Sequence, residues 1–236
     1  MLLIKYMSKY TPNTTLLPSI VKFLKKLQKN NNRLWFIEHK EEYTTEHAHF
    51  KTFTSTLFDK MSQYDNLESL KVYRIYRDVR FSKNKTPYKS NFAGGMKRAT
   101  KWLRGGYYFH IQPGGASMIG GGFWGPNVAD LKRIRQEIAV DAEPLRKILA
   151  DPTFLKVFGN LEGTQLKTAP RDYPKDHPNI DLLRYKQFVV RRHFTDEEVL
   201  ADDFLPKMIE TFRAMRPFFD YMSDVLTTDA NGVPIE

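Results

Sequence analysis

The chain has 236 residues and no cysteine, so thiol catalysis, thiolate metal centres and disulfides are excluded. Its net charge is +10, yet residues 71–104 hold eleven Lys or Arg against one acid, Asp78, so the remainder is balanced. A surplus confined to one stretch points to a surface that concentrates anions, not to a general solubility setting.

No run approaches the ~18 apolar residues of a membrane span, and no membrane partner is expected. Residues 1–13 read as a polar tail. The opening Met1-Leu2-Leu3-Ile4 is cut short by Lys5, well below a signal-peptide apolar core, which makes a cytoplasmic protein the expectation. Met7 offers an alternative start that leaves residues 1–6 as an extension.

Leu17, Ile20, Leu24 and Leu27 recur at helical spacing, with Pro18 suited to the first turn and the asparagines at 30–32 to the stop. A second helical region starts near Arg33 and carries Phe50, Phe53, Leu57 and Met61 on one stripe. From Val72 the period changes to two. Tyr73, Ile75, Val79 and Phe81 alternate with Arg74, Tyr76, Asp78 and Arg80, which predicts a half-buried strand that Arg77 interrupts.

Residues 107–112 predict another strand, Pro113-Gly114 a type II turn, and 116–124 the returning strand of a hairpin. Asn127 is the expected cap of the next helix, whose inner face is Leu131, Ile134 and Ile138. Further helical segments follow at 145–149 and 154–158, then a loop-like stretch over 159–180 and a strand over 187–194. The last helix shows Leu205, Met208, Phe212, Met215, Phe219, Met222 and Leu226 in a 3-4-3-4 rhythm, kinked at Pro217. That pattern defines an α+β fold: one domain over 14–228, a central mostly antiparallel sheet with helices before and after it, and a frayed tail at 229–236.

Three stretches carry the candidate chemistry. In the first, a strand places Arg74, Tyr76, Asp78 and Arg80 on one face, and Lys83, Lys85 and Lys89 follow in a loop able to close over an anion. In the second, Gly120-Gly121-Gly122 strips side chains from a strand, so that either a ligand or another backbone comes close; His110 lies on the polar face of the strand paired with it. In the third, Pro178 suits a first helical position with His177 or Asp176 as cap, and Arg171, Lys175 and His177 surround a helix start fit to cradle an anion.

Two uses of these residues follow. One is a binding cleft for a phosphorylated or polyanionic ligand, a small molecule or nucleic acid, made by Arg77, Arg80, Lys83, Lys85 and Lys89 with Arg171, Lys175 and His177. Trp102, Tyr107 and Tyr108 would then supply stacking surfaces for nucleic acid. The other is an enzyme acting on such an anion, with His110 or His177 as general acid/base and Asp78 beside them. A third reading makes the last helix an interaction scaffold. No cofactor and no metal is implied: Glu46-His47-Ala48-His49 lacks metalloprotease spacing.

The runs Arg33-x-Trp35-Phe36, Tyr76-Arg77-Asp78-x-Arg80-Phe81-Ser82-Lys83-x-Lys85-Thr86-Pro87-Tyr88-Lys89, Gly106-Tyr107-Tyr108 and Tyr173-Pro174-Lys175-Asp176-His177-Pro178 together resemble the bacterial and fungal proteins known as domain of unknown function 2461. The resemblance spans roughly residues 16–226 and implies a compact single domain with no established activity. Asn84 stands where similar members commonly carry Asp.

Overall fold

A computed structural model describes residues 14–229 and 231–235; the expected tail and extension at the N-terminus lie outside the described residues. Three helices open the chain: α1 (Pro18–Lys29), α2 (Arg33–Glu38) and α3 (Lys40–Met61). Pro18 begins α1 as its spacing predicts, and the Asn32 side chain caps α2 by accepting the Trp35 N–H at 3.0 Å. Phe50, Phe53, Leu57 and Met61 of α3 are fully buried against the sheet.

The sheet is an antiparallel meander of β1 (Leu67–Val72), β2 (Phe92–Arg98), β3 (Gly106–Ile111), β4 (Ser117–Phe123) and β5 (Phe188–Phe194), adjacent in that order. The expected strand from Val72 to Phe81 is corrected. The ladder has already formed over Leu67–Val72, and its last link is Tyr73 N–H to Ala93 O; beyond it β2 supplies no partner. Residues 73–91 therefore make an irregular excursion, pinned by an isolated bridge between Tyr76 and Tyr88 and by the Asn31 side chain, which bonds both N–H and C=O of Tyr88.

The β3–β4 hairpin matches its prediction, with Gly114 at φ +84°. Asp196 holds the turn, its Oδ1 accepting the N–H groups of Gly114 and Gly115. After β4 come α4 (Val128–Val140), capped by Asn127 as expected, then α5 (Glu143–Ala150), α6 (Pro152–Phe158) and the single turn α7 (Ile180–Leu183). After β5 the chain forms α8 (Asp196–Leu200), α9 (Phe204–Ala214) and α10 (Arg216–Thr227). The last helix is thus two. Pro217 has no N–H for the ladder, and the break falls at Met215.

Met208, Met215 and Met222 are wholly buried. The stripe is core, so the interaction-scaffold expectation loses the exposed seam it required. Near the C-terminus Asp229 N–H donates to Val233 O and Ile235 N–H to Thr227 O.

The helices cover one face of the sheet. Phe92 meets Phe50, Phe109 meets Phe212, Tyr107 meets Phe219, and Phe194 meets Phe204, all on that side. Among the described residues no helix is long and apolar enough to cross a membrane.

Candidate functional site

Four of the eleven cations in the basic stretch are spoken for by carboxylates. Arg80 forks onto its own neighbour Asp78, Nε to Oδ1 at 3.0 Å and Nη2 to Oδ2 at 2.7 Å. Lys97 pairs with Glu68, Arg104 with Asp130, and Arg98 with Asp65 and Asp220. Arg98 is fully buried, and Tyr107, Ser223, Arg216 and the carbonyl of Arg104 complete its surroundings. These groups hold the fold together and leave little field for a ligand.

Among the described residues Lys71, Arg74, Arg77 and Lys89 form no ion pair. They cluster where the excursion leaves β1, and the Lys89 ammonium is lowered in pKa by burial and then by the nearby Arg74 and Arg77 charges. Lys85 instead donates to the Val79 carbonyl within the excursion.

The register places these cations beside an open surface. On the face opposite the helices one row runs Lys71, Gly95, Tyr108, Gly120, Arg191, and the next Tyr73, Ala93, His110, Met118, His193, of which Ala93 and Met118 are buried. Glycines flank Tyr108 on both sides, leaving a floor without side chains. A groove of about 380 Å³ follows it, lined by Lys71, Tyr73, Gly95, Tyr108, Gly122 and Trp124 among others.

Three aromatic rings stand along the groove: Tyr73 lies 6.2 Å from Tyr108, and Tyr108 lies 6.4 Å from Trp124. Cations bracket them. Lys71 and Lys89 sit 5.7 and 5.8 Å from the Tyr73 ring centre, and the Arg191 guanidinium sits 4.7 Å over Trp124 while pairing with Glu162.

The glycine triplet divides between the two alternatives it left open. Gly120 lies on the face of Tyr108 and Arg191, where a Cβ would come within 2.9 Å of Val190 O. Gly121 faces the helices, where a Cβ would come within 2.6 Å of Phe219 Cζ, and Gly122 takes φ +126°, unsuited to other residues.

His110 is fully engaged. Its Nε2 lies 2.8 Å from the Ala116 carbonyl, which only accepts, so Nε2 carries the proton and Nδ1 accepts from the Tyr108 hydroxyl at 3.2 Å. Burial lowers its pKa, the Ala116 bond opposing and His193 adding to the fall. His110 thus orients Tyr108 in its neutral form.

The 171–178 stretch does not join this surface. The basic excursion leaves the sheet at the β1 edge and at the end formed by Val72 and Phe92, whereas β5 enters at the opposite edge and end. A five-stranded sheet of six or seven residues per strand measures about 20 Å each way, so the corners are far apart. The stretch packs instead on α4, where the Asn179 side chain donates to Ile138 O. Arg171 and Lys175 are exposed there.

His177 accepts the Asn179 N–H at 3.0 Å, and its own carbonyl accepts from Ile180, so α7 starts two residues later than expected and is one turn long. The helix start expected at Pro178 is therefore displaced to Ile180, and among the described residues no hydrogen bond or ion pair joins His110, His177 and Asp78 to one another. Side-chain and backbone bonds from Arg80 hold the Asp78 carboxyl below the usual range, and that residue remains exposed beside its own guanidinium.

Tyr107, an expected stacking residue, is buried with its hydroxyl on Asp65. Trp102 is exposed under Lys101, while Tyr108 lines the groove from the side away from the helices. Tyr73, Trp124 and Arg191 were not foreseen as site residues. For Arg191 the signal was the alternation of β5, which sends Val189, Arg191 and His193 to one side.

An antiparallel meander backed on one face by helices defines an α+β domain. The chain matches the family described as "Conserved hypothetical protein (DUF2461)" over residues 19–221 and belongs to it. No curated protein and no solved structure matches.

Proposed function

We propose that the uncovered sheet face binds a phosphorylated, polyanionic ligand that carries flat rings, a short single-stranded nucleic acid being the form that uses the whole groove. The observation that carries this reading is the bracketing of Tyr73 by two ammonium groups, Lys71 and Lys89, beside the glycine-floored ring row. Cations without carboxylate partners repel one another, and phosphate relieves that repulsion. Rings on a bare floor accept stacking bases irrespective of sequence.

Arg77 belongs to the same corner through its influence on Lys89, and its buried Nε has no partner. Lys83 and Lys85 extend the positive field along the excursion, whereas Arg171 and Lys175 stand apart from it. Fluorescence anisotropy with a labelled oligothymidylate of about ten nucleotides tests the reading. Affinity should fall steeply between about 50 and 200 mM salt, as release of condensed counterions requires. Salt-independent binding, or none at 50 mM, sinks it.

A further inference from the structure

A second groove, of about 840 Å³, lies on the helix side of the sheet between α5–α6 and α9–α10. Ile148, Phe154, Val157, Ala214 and Pro217 give it apolar wall. Lys147, Lys156, Arg192, Lys207 and Arg213 line it with two acids, Asp151 and Glu210; Lys147 pairs with Glu143 and Lys207 with Asp203, which leaves Lys156, Arg192 and Arg213 without a carboxylate among the described residues. Asp151 is engaged, its Oδ1 accepting the Thr153 and Phe154 N–H groups at the start of α6.

Arg192 makes this groove more than a gap between helices. In β5 the residues Phe188, Val190 and Phe194 face the helices and are buried, and the period of two sends Arg192 the same way. Its guanidinium has one hydrogen-bond acceptor, the Thr211 hydroxyl at 3.2 Å, and lies 4.6 Å from the Phe194 ring centre. Among the described residues no carboxylate ion-pairs with it. Thr211 donates its own proton to Lys207 O, so its lone pair is what Arg192 receives. A guanidinium offers five donors in a fork that fits a carboxylate or phosphate, and most of these are unused here.

We propose that the groove binds a small amphipathic anion, its carboxylate or phosphate head on Arg192 and its apolar body along Phe154, Val157 and Pro217. The volume is that of a site for a ligand of drug size, about 300–1,000 Å³. Adjacent residues of β5 thereby serve opposite faces: Arg191 the ring-bearing polyanion, Arg192 the amphiphile.

Calorimetric titration of the full chain with decanoate, decyl phosphate and decanol, all below micelle-forming concentrations, tests the site. Both anions should bind, decanol at least about tenfold more weakly, and Arg192→Gln should remove that difference. Equal binding of decanol and decanoate, unchanged anion affinity in Arg192→Gln, or no binding by any of the three overturns the proposal. Should Arg192→Gln fail to fold, Val157→Trp fills the groove and should abolish binding of both anions; retained binding places them elsewhere and overturns it. Lys71→Gln, on the other face, should leave decanoate binding unchanged. Loss of decanoate binding in that variant assigns the anion to the open face and overturns this site, whereas failure of the oligonucleotide experiment leaves it standing.

Discussion

Arg98 Nε lies 2.8 Å from Asp65 Oδ2, and neither side chain reaches solvent. The pair binds the start of β1 to the end of β2, and Asp220 and Arg216 extend it to α10. Removing one member of such a pair strands the other charge, which costs more than the pair itself contributes. Arg98→Met should therefore destabilise the protein by about 3 kcal/mol, at the low end for a broken buried pair because Arg216 and Tyr107 still reach Asp65. Urea denaturation checks this; a loss under about 1 kcal/mol would show the cluster to be dispensable.

That cluster also shows what a local reading misses. Counting charge along residues 71–104 treats Arg98 and Arg104 as part of one field, but Asp65, Asp130 and Asp220 reach them from outside the stretch. The helices were legible because their apolar spacing is regular, and so was the β3–β4 hairpin, with its alternating strand and Pro-Gly turn. Strand β2 was not: Ala93-Gly94-Gly95 and the cations after it have poor strand propensity. It is a strand because β1 and β3 pair with it on both sides, and its glycines answer to that packing. A Cβ at Gly94 would strike the Phe109 ring at 2.6 Å. The alternation over 72–81 was real, but alternation without a partner makes no ladder. Nothing in the third basic stretch told which corner of the sheet it would occupy.

Tyr107 and Tyr108 point to opposite faces of β3 and should separate stability from binding. Tyr107→Phe removes the buried hydroxyl that donates to Asp65 and should cost about 1–3 kcal/mol of stability, with oligonucleotide affinity unchanged. Tyr108→Ala should do the reverse, weakening affinity by roughly ten- to a hundredfold if a base stacks there, while leaving the denaturation midpoint close to wild type. Equal effects of the two variants on binding would place the ligand elsewhere.

Gly121 should tolerate no side chain. A Cβ there meets Phe219 Cζ at 2.6 Å and Met215 Sδ at 2.8 Å, where α9 and α10 cross β4. Gly121→Ala is expected to destabilise by about 1–3 kcal/mol through overpacking. A thermal midpoint within a degree of wild type would mean the helices move aside at no cost.

The salt slope should identify which cations touch phosphate. Lys71→Gln and Lys89→Gln should each lower the slope of log affinity against log salt by about 0.7, the value for one contact to a single strand. Arg80→Gln should change it little, because Asp78 already occupies that guanidinium. Arg171→Gln, at the far corner, should change nothing. A slope that responds to Arg171 but not to Lys89 would restore the cleft expected from sequence and remove the one proposed here.

Burial lowers the pKa of His47 and of His110 below the ordinary histidine value, Lys51 adding to the fall for His47 and His193 for His110. The unfolded chain takes up these protons near pH 6.5, the folded chain only at lower pH, so the unfolded state binds more protons in between. Their contribution is fully present above about pH 6.5 and is lost as pH falls toward the folded values. Urea midpoints should therefore drop between pH 7.5 and 5.5, and His110→Gln, which keeps an N–H for Ala116 and cannot titrate, should drop less. If the variant and the wild type fall in parallel, His110 is not the group that feels the acid.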